Sequence, residues 1–227
     1  MVQWKRARAV APLTAALILT TVSLLLASGT ALASCNPGRS NTVVSNWAGT
    51  QQSIGGVNDI ASSIQEYIPY VTSGSEVMQW VMLSNGSSEW AQVGWWQDSN
   101  GHRTFEQHTD NSGHWYTNYW PANGNGYNGY EVSFNASQWL FGFYRNGSLL
   151  NSPTEQWTPT TYDLYGETHR LSDQMPGGYN NPSVFMYAMY NHTTYVTTSA
   201  LSSNWTYFAA SYVGSGYYNI WDRACPS

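Results

Sequence analysis

The chain has 227 residues, of which only eight are Lys or Arg and 13 are Asp or Glu, and it is rich in Trp (12) and Tyr (17). The first 33 residues hold Lys5, Arg6 and Arg8 and then a long apolar run ending in Ala31-Leu32-Ala33, the layout of a secretory signal with an A-x-A cleavage site. Residues 34–227 then carry five Arg and no Lys against all 13 acids, a formal charge of −8, which argues against nucleic acid and anionic lipid as partners.

The run before residue 34 is also long enough to span a membrane, so a retained anchor is the alternative to removal. With the signal removed, the expectation is an extracellular, monomeric, single-domain protein with no membrane span. Two cysteines, Cys35 and Cys225, sit at opposite ends of residues 34–227. Export favours a disulfide between them. Closing so long a loop contributes about 4–5 kcal/mol in the chain-entropy model. The alternative reads "LASC" as a lipid-attachment site at Cys35.

From residue 41 onward, short alternating runs of Trp, Tyr, Val and Thr recur between turn clusters. In chain order the predicted strands are "NTVVSNWAGTQ", "SIQEYIP", "VMQWVML", "EWAQVGWWQ", "RTFEQHT", "HWYTNYW", "YEVSFN", "QWLFGFYRNG", "TTYDLYGETHRL", "SVFMYAMY", "TYVTTS" and "WTYFAASYV". The turns between them ("SNGSS", "DSNGH", "DNSG", "ANGNGYNG", "RNGS", "MPGGYNNP") are rich in the Asn-Gly and Gly-Gly pairs that tight turns require. The pattern is all-β, an antiparallel sandwich or barrel. It contains no linker and no second domain.

Two strands carry candidate chemistry. In "EWAQVGWW", alternation puts Trp90, Gln92, Gly94 and Trp96 on one face. An amide between two indoles, with a glycine that admits close approach, describes a substrate groove or an ordinary wet sheet face. In "YDLYGETHRL", Tyr165, Glu167 and His169 share a face, and Glu167 is either a general base beside aromatics or a surface partner of Arg170. His102, Glu106, His108 and His114 are zinc-type ligands. On one strand, His-x3-Glu-x-His stretches over about 20 Å, too far for one ion without a bulge, so no metal is expected.

Taken together, these segments resemble the glutamic peptidases: the eqolisins and the related neprosin group. "SNWAGT" is similar to the Asn-Trp-Gly/Ala-Gly opening of eqolisins, and "WVMLSNGSSEWAQVGW" to their Trp strand, Gly turn and Gln-x-Gly. "HRTFEQHTDNSGHWY" resembles the neprosin Arg-x-Phe and Thr-x-Asp run, and "YGETHRLSDQMPGG" its Gly-Glu followed by a Met-Gly-x-Gly turn. Two features depart from the eqolisin pattern: Asn85-Gly86 stands for Asp-Gly, and Glu167 is followed by Thr168-His169.

The resemblance implies a β-sandwich of concanavalin or jelly-roll type over residues 34–227. It also implies an endopeptidase acting on polypeptide with Gln92 and Glu167 as the catalytic pair, water as nucleophile and no cofactor. Trp80, Trp90 and Trp96 are the expected groove walls, with Tyr165 and Glu106 as further substrate-binding candidates. The rival readings are a secreted carbohydrate-binding β-sandwich using Trp90, Trp96, Trp115 and Trp120 as platforms, and an inactive relative. A glycoside hydrolase would draw its two acids from Glu89, Glu106, Glu131 and Glu167. A serine triad is disfavoured by the lack of a Gly-x-Ser-x-Gly elbow.

Overall fold

The computed structural model describes residues 35–86, 88–122 and 126–226, so the signal segment 1–33 lies outside the described residues. In chain order the strands are β1 (Val43–Ser53), β2 (Asp59–Glu66), β3 (Glu76–Ser84), β4 (Trp90–Asp98), β5 (Gly101–Thr109), β6 (Trp115–Pro121), β7 (Gly126–Asn135) and β8 (Leu140–Arg145). They continue as β9 (Ser148–Asn151), β10 (Thr161–Arg170), β11 (Gly177–Gly178), β12 (Asn181–Tyr190), β13 (Thr194–Tyr195), β14 (Leu201–Ser202), β15 (Phe208–Gly214) and β16 (Tyr217–Asp222). Among the described residues no helix is long and apolar enough to cross a membrane.

The strands form two sheets. One runs β14-β1-β10-β3-β4-β5-β6, and the other runs β15-β16-β11-β12-β2-β7-β8-β9 with β13 on β12. All pairings are antiparallel except β11 with β16. This is the expected all-β sandwich.

Alternation on the central strands builds the core between the sheets. Val77, Val81 and Leu83 of β3, Ala91, Val93 and Trp95 of β4, and Leu164 of β10 pack there with Ile60, Ile64, Phe143 and Phe185 of the facing sheet. Burying each large apolar side chain contributes about 1.5–3 kcal/mol. The outer face of the first sheet carries a second apolar cluster, Met78, Trp80, Trp96, Phe105 and Tyr165, with Trp47 and Met82 packed against it. Gly166 turns its bare Cα toward the facing sheet, where a Cβ would meet the Ile220 Cδ1 at 2.4 Å. β10 therefore packs closely on the core at this point.

The Cys35–Cys225 disulfide is formed, with a Cα–Cα distance of 5.6 Å. The predicted turn "RNGS" folds with Asn146 (φ 50°) and Gly147 (φ 75°) both left-handed, as a two-residue hairpin needs.

Several expectations need correction. The second half of "ANGNGYNG" is not loop: Gly126–Gly129 begins β7, because pairing with β2 continues to Glu66↔Gly126. "TYVTTS" shrinks to a two-residue bridge on β12. β9, β14 and β16 were not predicted, and neither was β11, which lies within the expected turn "MPGGYNNP" and pairs with β12; β16 is held by β15 and β12 on its two sides.

Candidate active site

β3 is the middle strand of the first sheet, with β10 on one side and β4 on the other. Its outward residues Glu76, Met78, Trp80 and Met82 therefore have outward residues of β10 and β4 as lateral neighbours. The register gives three rows across the strands: Trp47–Glu167–Met78–Trp96, Gly49–Tyr165–Trp80–Gly94, and Gln51–Asp163–Met82–Gln92–Gln107. Two glycines flank the middle row for steric reasons. A Cβ on Gly94 would lie 2.0 Å from the Gln79 carbonyl oxygen, and one on Gly49 would lie 1.8 Å from that of Leu164. The two aromatic side chains between them meet edge to face, Trp80 and Tyr165 at 5.4 Å, and Trp47 closes on Tyr165 at 4.8 Å.

These rows floor a cavity of about 460 Å³ on the outer face. Its lining includes Trp80, Trp90, Gln92, Trp96, Tyr165 and Glu167, so six of the seven residues nominated from the sequence come together. The seventh, Glu106, does not. It pairs with Val93 and Asn118 on the opposite face and is fully buried. There it accepts hydrogen bonds from Asn118, from Asn151 (2.6 Å) and from the His108 ring (3.0 Å). The reason is local: the inward face of β5 is polar (His102, Thr104, Glu106, His108) and its outward face carries Phe105, reversing the usual pattern.

The Glu167 carboxylate sits at the groove wall with defined partners. Ser45 donates from Oγ to Oε1 at 2.6 Å, and the Trp80 indole donates from Nε1 to Oε2 at 3.2 Å. His169 bridges two acids, its Nε2 3.2 Å from Glu167 and its Nδ1 2.5 Å from Glu76. The hydrogen bond to Glu167, then that to Glu76, raises the imidazole pKa to about 10, so His169 is a cation at neutral pH. Gln92 is nearly buried and donates from Nε2 to the Gln107 Oε1 at 2.8 Å, leaving its second amide hydrogen for a ligand.

Gln92 and Glu167 share the face but not a row. Gln92 pairs with Met82 and Glu167 with Met78, so they are offset by about 13 Å along the strands and about 10 Å across them.

Four polar groove residues escaped the sequence reading, Gln107, Gln51, Asp163 and Glu76, as did the apolar Trp47, Met78 and Met82. Parity alone could have put Asp163 on the Glu167 face; nothing in the sequence said that β10 lies beside β3. Trp115 also lines the groove and meets Trp90 edge to face at 5.5 Å, while Trp120 belongs to the other parity of β6. Among the described residues no group of His, Cys, Asp and Glu is placed to hold a metal ion.

No protein-family model matches the chain, and no curated protein matches it. Solved structures do. Scytalido-glutamic peptidase with a transition state analog inhibitor aligns at TM-score 0.59 and 13% identity, over 80% of this chain and all of that one. A second structure of that enzyme, with a peptide-based transition state analog, aligns at 0.58 and 11% identity over the same shares. SCP-B, an eqolisin-family peptidase in complex with the tripeptide Ala-Ile-His, aligns at 0.55 and 12%, again over 80% of this chain and all of that one. The fold of this chain is thus the fold of the eqolisin glutamic peptidases.

Proposed function

We propose that this chain is an exported endopeptidase that works in acid, with Glu167 as general base and acid and Gln92 as oxyanion donor. The observation that carries the reading is the placement of a carboxylate and a primary amide in one Trp-walled groove. The fold shared with glutamic peptidases supports it.

In the proposed reaction a peptide lies across β10, β3 and β4. Glu167 takes a proton from water as the water oxygen bonds to the scissile carbonyl carbon, and the carbonyl π pair moves onto its oxygen. Gln92 donates Nε2–H to that oxyanion, an interaction of about 3–4 kcal/mol where such donors have been removed from other proteases. Glu167 then passes its proton to the amide nitrogen, the C–N bond breaks, and a carboxylic acid and an amine leave. To share one scissile carbonyl across that offset, the two side chains lean toward each other over Met82 and Trp80, and Gln92 exchanges Gln107 for substrate. Ser45, Trp80 and His169 hold the carboxylate in place. Export on residues 1–33 puts the enzyme outside the cell, acting as a monomer on polypeptide.

The charge pattern suits acid. Burial raises the carboxyl pKa of Asp59, Glu131, Glu155, Asp163 and Asp222, so the folded chain binds their protons more tightly than the unfolded chain and gains stability as pH falls. Hydrogen bonds lower Asp110 and Glu89 at the surface and act in the other direction. A glycan-binding sandwich fits less well, since Trp90 and Trp115 stand edge to face and the groove holds acids.

The test is hydrolysis of a denatured protein from pH 2 to 8 with serine, cysteine and metal inhibitors present. Acid-side cleavage that resists all three and falls about 10²–10³-fold in Gln92→Ala supports the proposal. Sensitivity to one of those inhibitors overturns it.

A further inference from the structure

The groove holds one carboxyl that the proposed reaction does not use. Asp163 lines the cavity on β10, four residues before Glu167 and on the same face, and is fully buried. Its Oδ1 lacks a hydrogen-bond partner at normal geometry, its Oδ2 accepts a long 3.4 Å bond from Ser84 Oγ, and the Gln51 amide beside it also favours the ionised form. The groups facing it are Gln51 from β1, Met82 and Ser84 from β3, and Tyr165 on its own strand. Among the described residues no Arg or His forms an ion pair with it. A buried polar atom without a partner costs free energy, and a ligand in the groove can supply the missing bond.

Its register explains what that ligand would meet. Asp163 and Gln92 occupy one row, Gln51–Asp163–Met82–Gln92–Gln107, so three amides and a carboxyl stand in line across five strands. Such a row offers donors and acceptors at the strand spacing and no positive charge. It suits peptide amide groups and not a charged side chain.

We propose that Asp163 is a substrate-recognition residue that, as a neutral acid, donates a hydrogen bond to a carbonyl oxygen of the bound peptide beside Gln92. Burial raises its carboxyl to about 7, so the O–H is present in acid and lost above neutrality, where an ionised Asp163 would stand without a counter-charge. The proposal rests on the peptide-groove reading and adds a pH-dependent donor to it.

The test separates the two. Binding of an uncharged, blocked extended peptide is followed by tryptophan fluorescence from pH 5 to 8 in Glu167→Gln, which does not turn it over, and in Glu167→Gln/Asp163→Asn. The single variant is expected to bind in acid and weaken about 10-fold by pH 8, as for one lost hydrogen bond. The double variant, whose amide donor does not titrate, is expected to hold its affinity within about 3-fold. Identical pH dependence in both overturns the role of Asp163 alone. No peptide binding by the folded single variant at any pH overturns the peptide groove and this proposal with it. If the Asn variant does not fold, Asp163→Ser keeps a neutral donor and is read in the same way.

Discussion

Glu106 and Glu167 are the same residue type on opposite faces of one sheet, and their surroundings differ in kind. Glu106 is fully buried between the sheets, with Asn118, Asn151 and His108 all turned onto it. Glu167 opens onto a cavity, held by one hydroxyl, one indole N–H and one imidazole that also serves Glu76. A carboxylate whose lone pairs are used up inside the protein is structure. A carboxylate with a wall of aromatics and space in front of it can do chemistry. Glu66 repeats the inner pattern, with His102, Asn128 and Tyr130 as partners.

The largest effect expected is on turnover. Glu167→Gln should lower acid-side cleavage about 10²–10⁴-fold with little change in melting temperature, since general-base removal costs that much. The comparison breaks if that variant retains full activity.

Asp163→Asn sharpens it on the stability side. The folded carboxyl is raised from 3.8 to about 7, so its contribution is fully present below pH 4 and is lost as pH rises through 7. That loss is at most about 4 kcal/mol at about 1.36 per unit. Urea unfolding at pH 4 and pH 8 should show the Asn variant near the parent in acid and more stable than it above neutrality.

Glu106→Ala removes the acceptor from three buried donors. It should cost about 3 kcal/mol of stability while activity per folded molecule stays at the parent level. Loss of activity in a fully folded Glu106→Ala would erase the distinction between the two faces.

The smallest effect belongs to His169. Its imidazolium stabilises the fold below pH 6.5, and the contribution is lost as pH rises through about 10. The ring is 37% exposed, so screening keeps His169→Asn under about 1 kcal/mol at pH 5 and near zero at pH 11, measurable as a shrinking difference in melting temperature.

Much of this was legible in the sequence because strand parity is rigid. Alternation put Trp90, Gln92 and Trp96 on one face and Tyr165, Glu167 and His169 on one face, and both sets line the groove. Parity does not say which face turns inward. On β5 the apolar side chain, Phe105, is outside and the polar ones are inside, so Glu106 was assigned to the wrong side. Nor does parity give strand order. β10 sits between β1 and β3, which are neighbours in neither register nor pairing, and only that insertion sets Asp163 in the row of Gln92. β16 escaped because its short run "YYNIWD" shows no clean alternation of apolar with polar residues, though its burial alternates in the fold.

The most direct measurement is the initial rate of cleavage of a denatured protein at pH 4 by the parent, Glu167→Gln and Glu106→Gln, each normalised to folded protein by circular dichroism. The account predicts parent-like rates for Glu106→Gln and about 1% or less for Glu167→Gln. Equal rates in the parent and Glu167→Gln, or no cleavage by the folded parent, would contradict it.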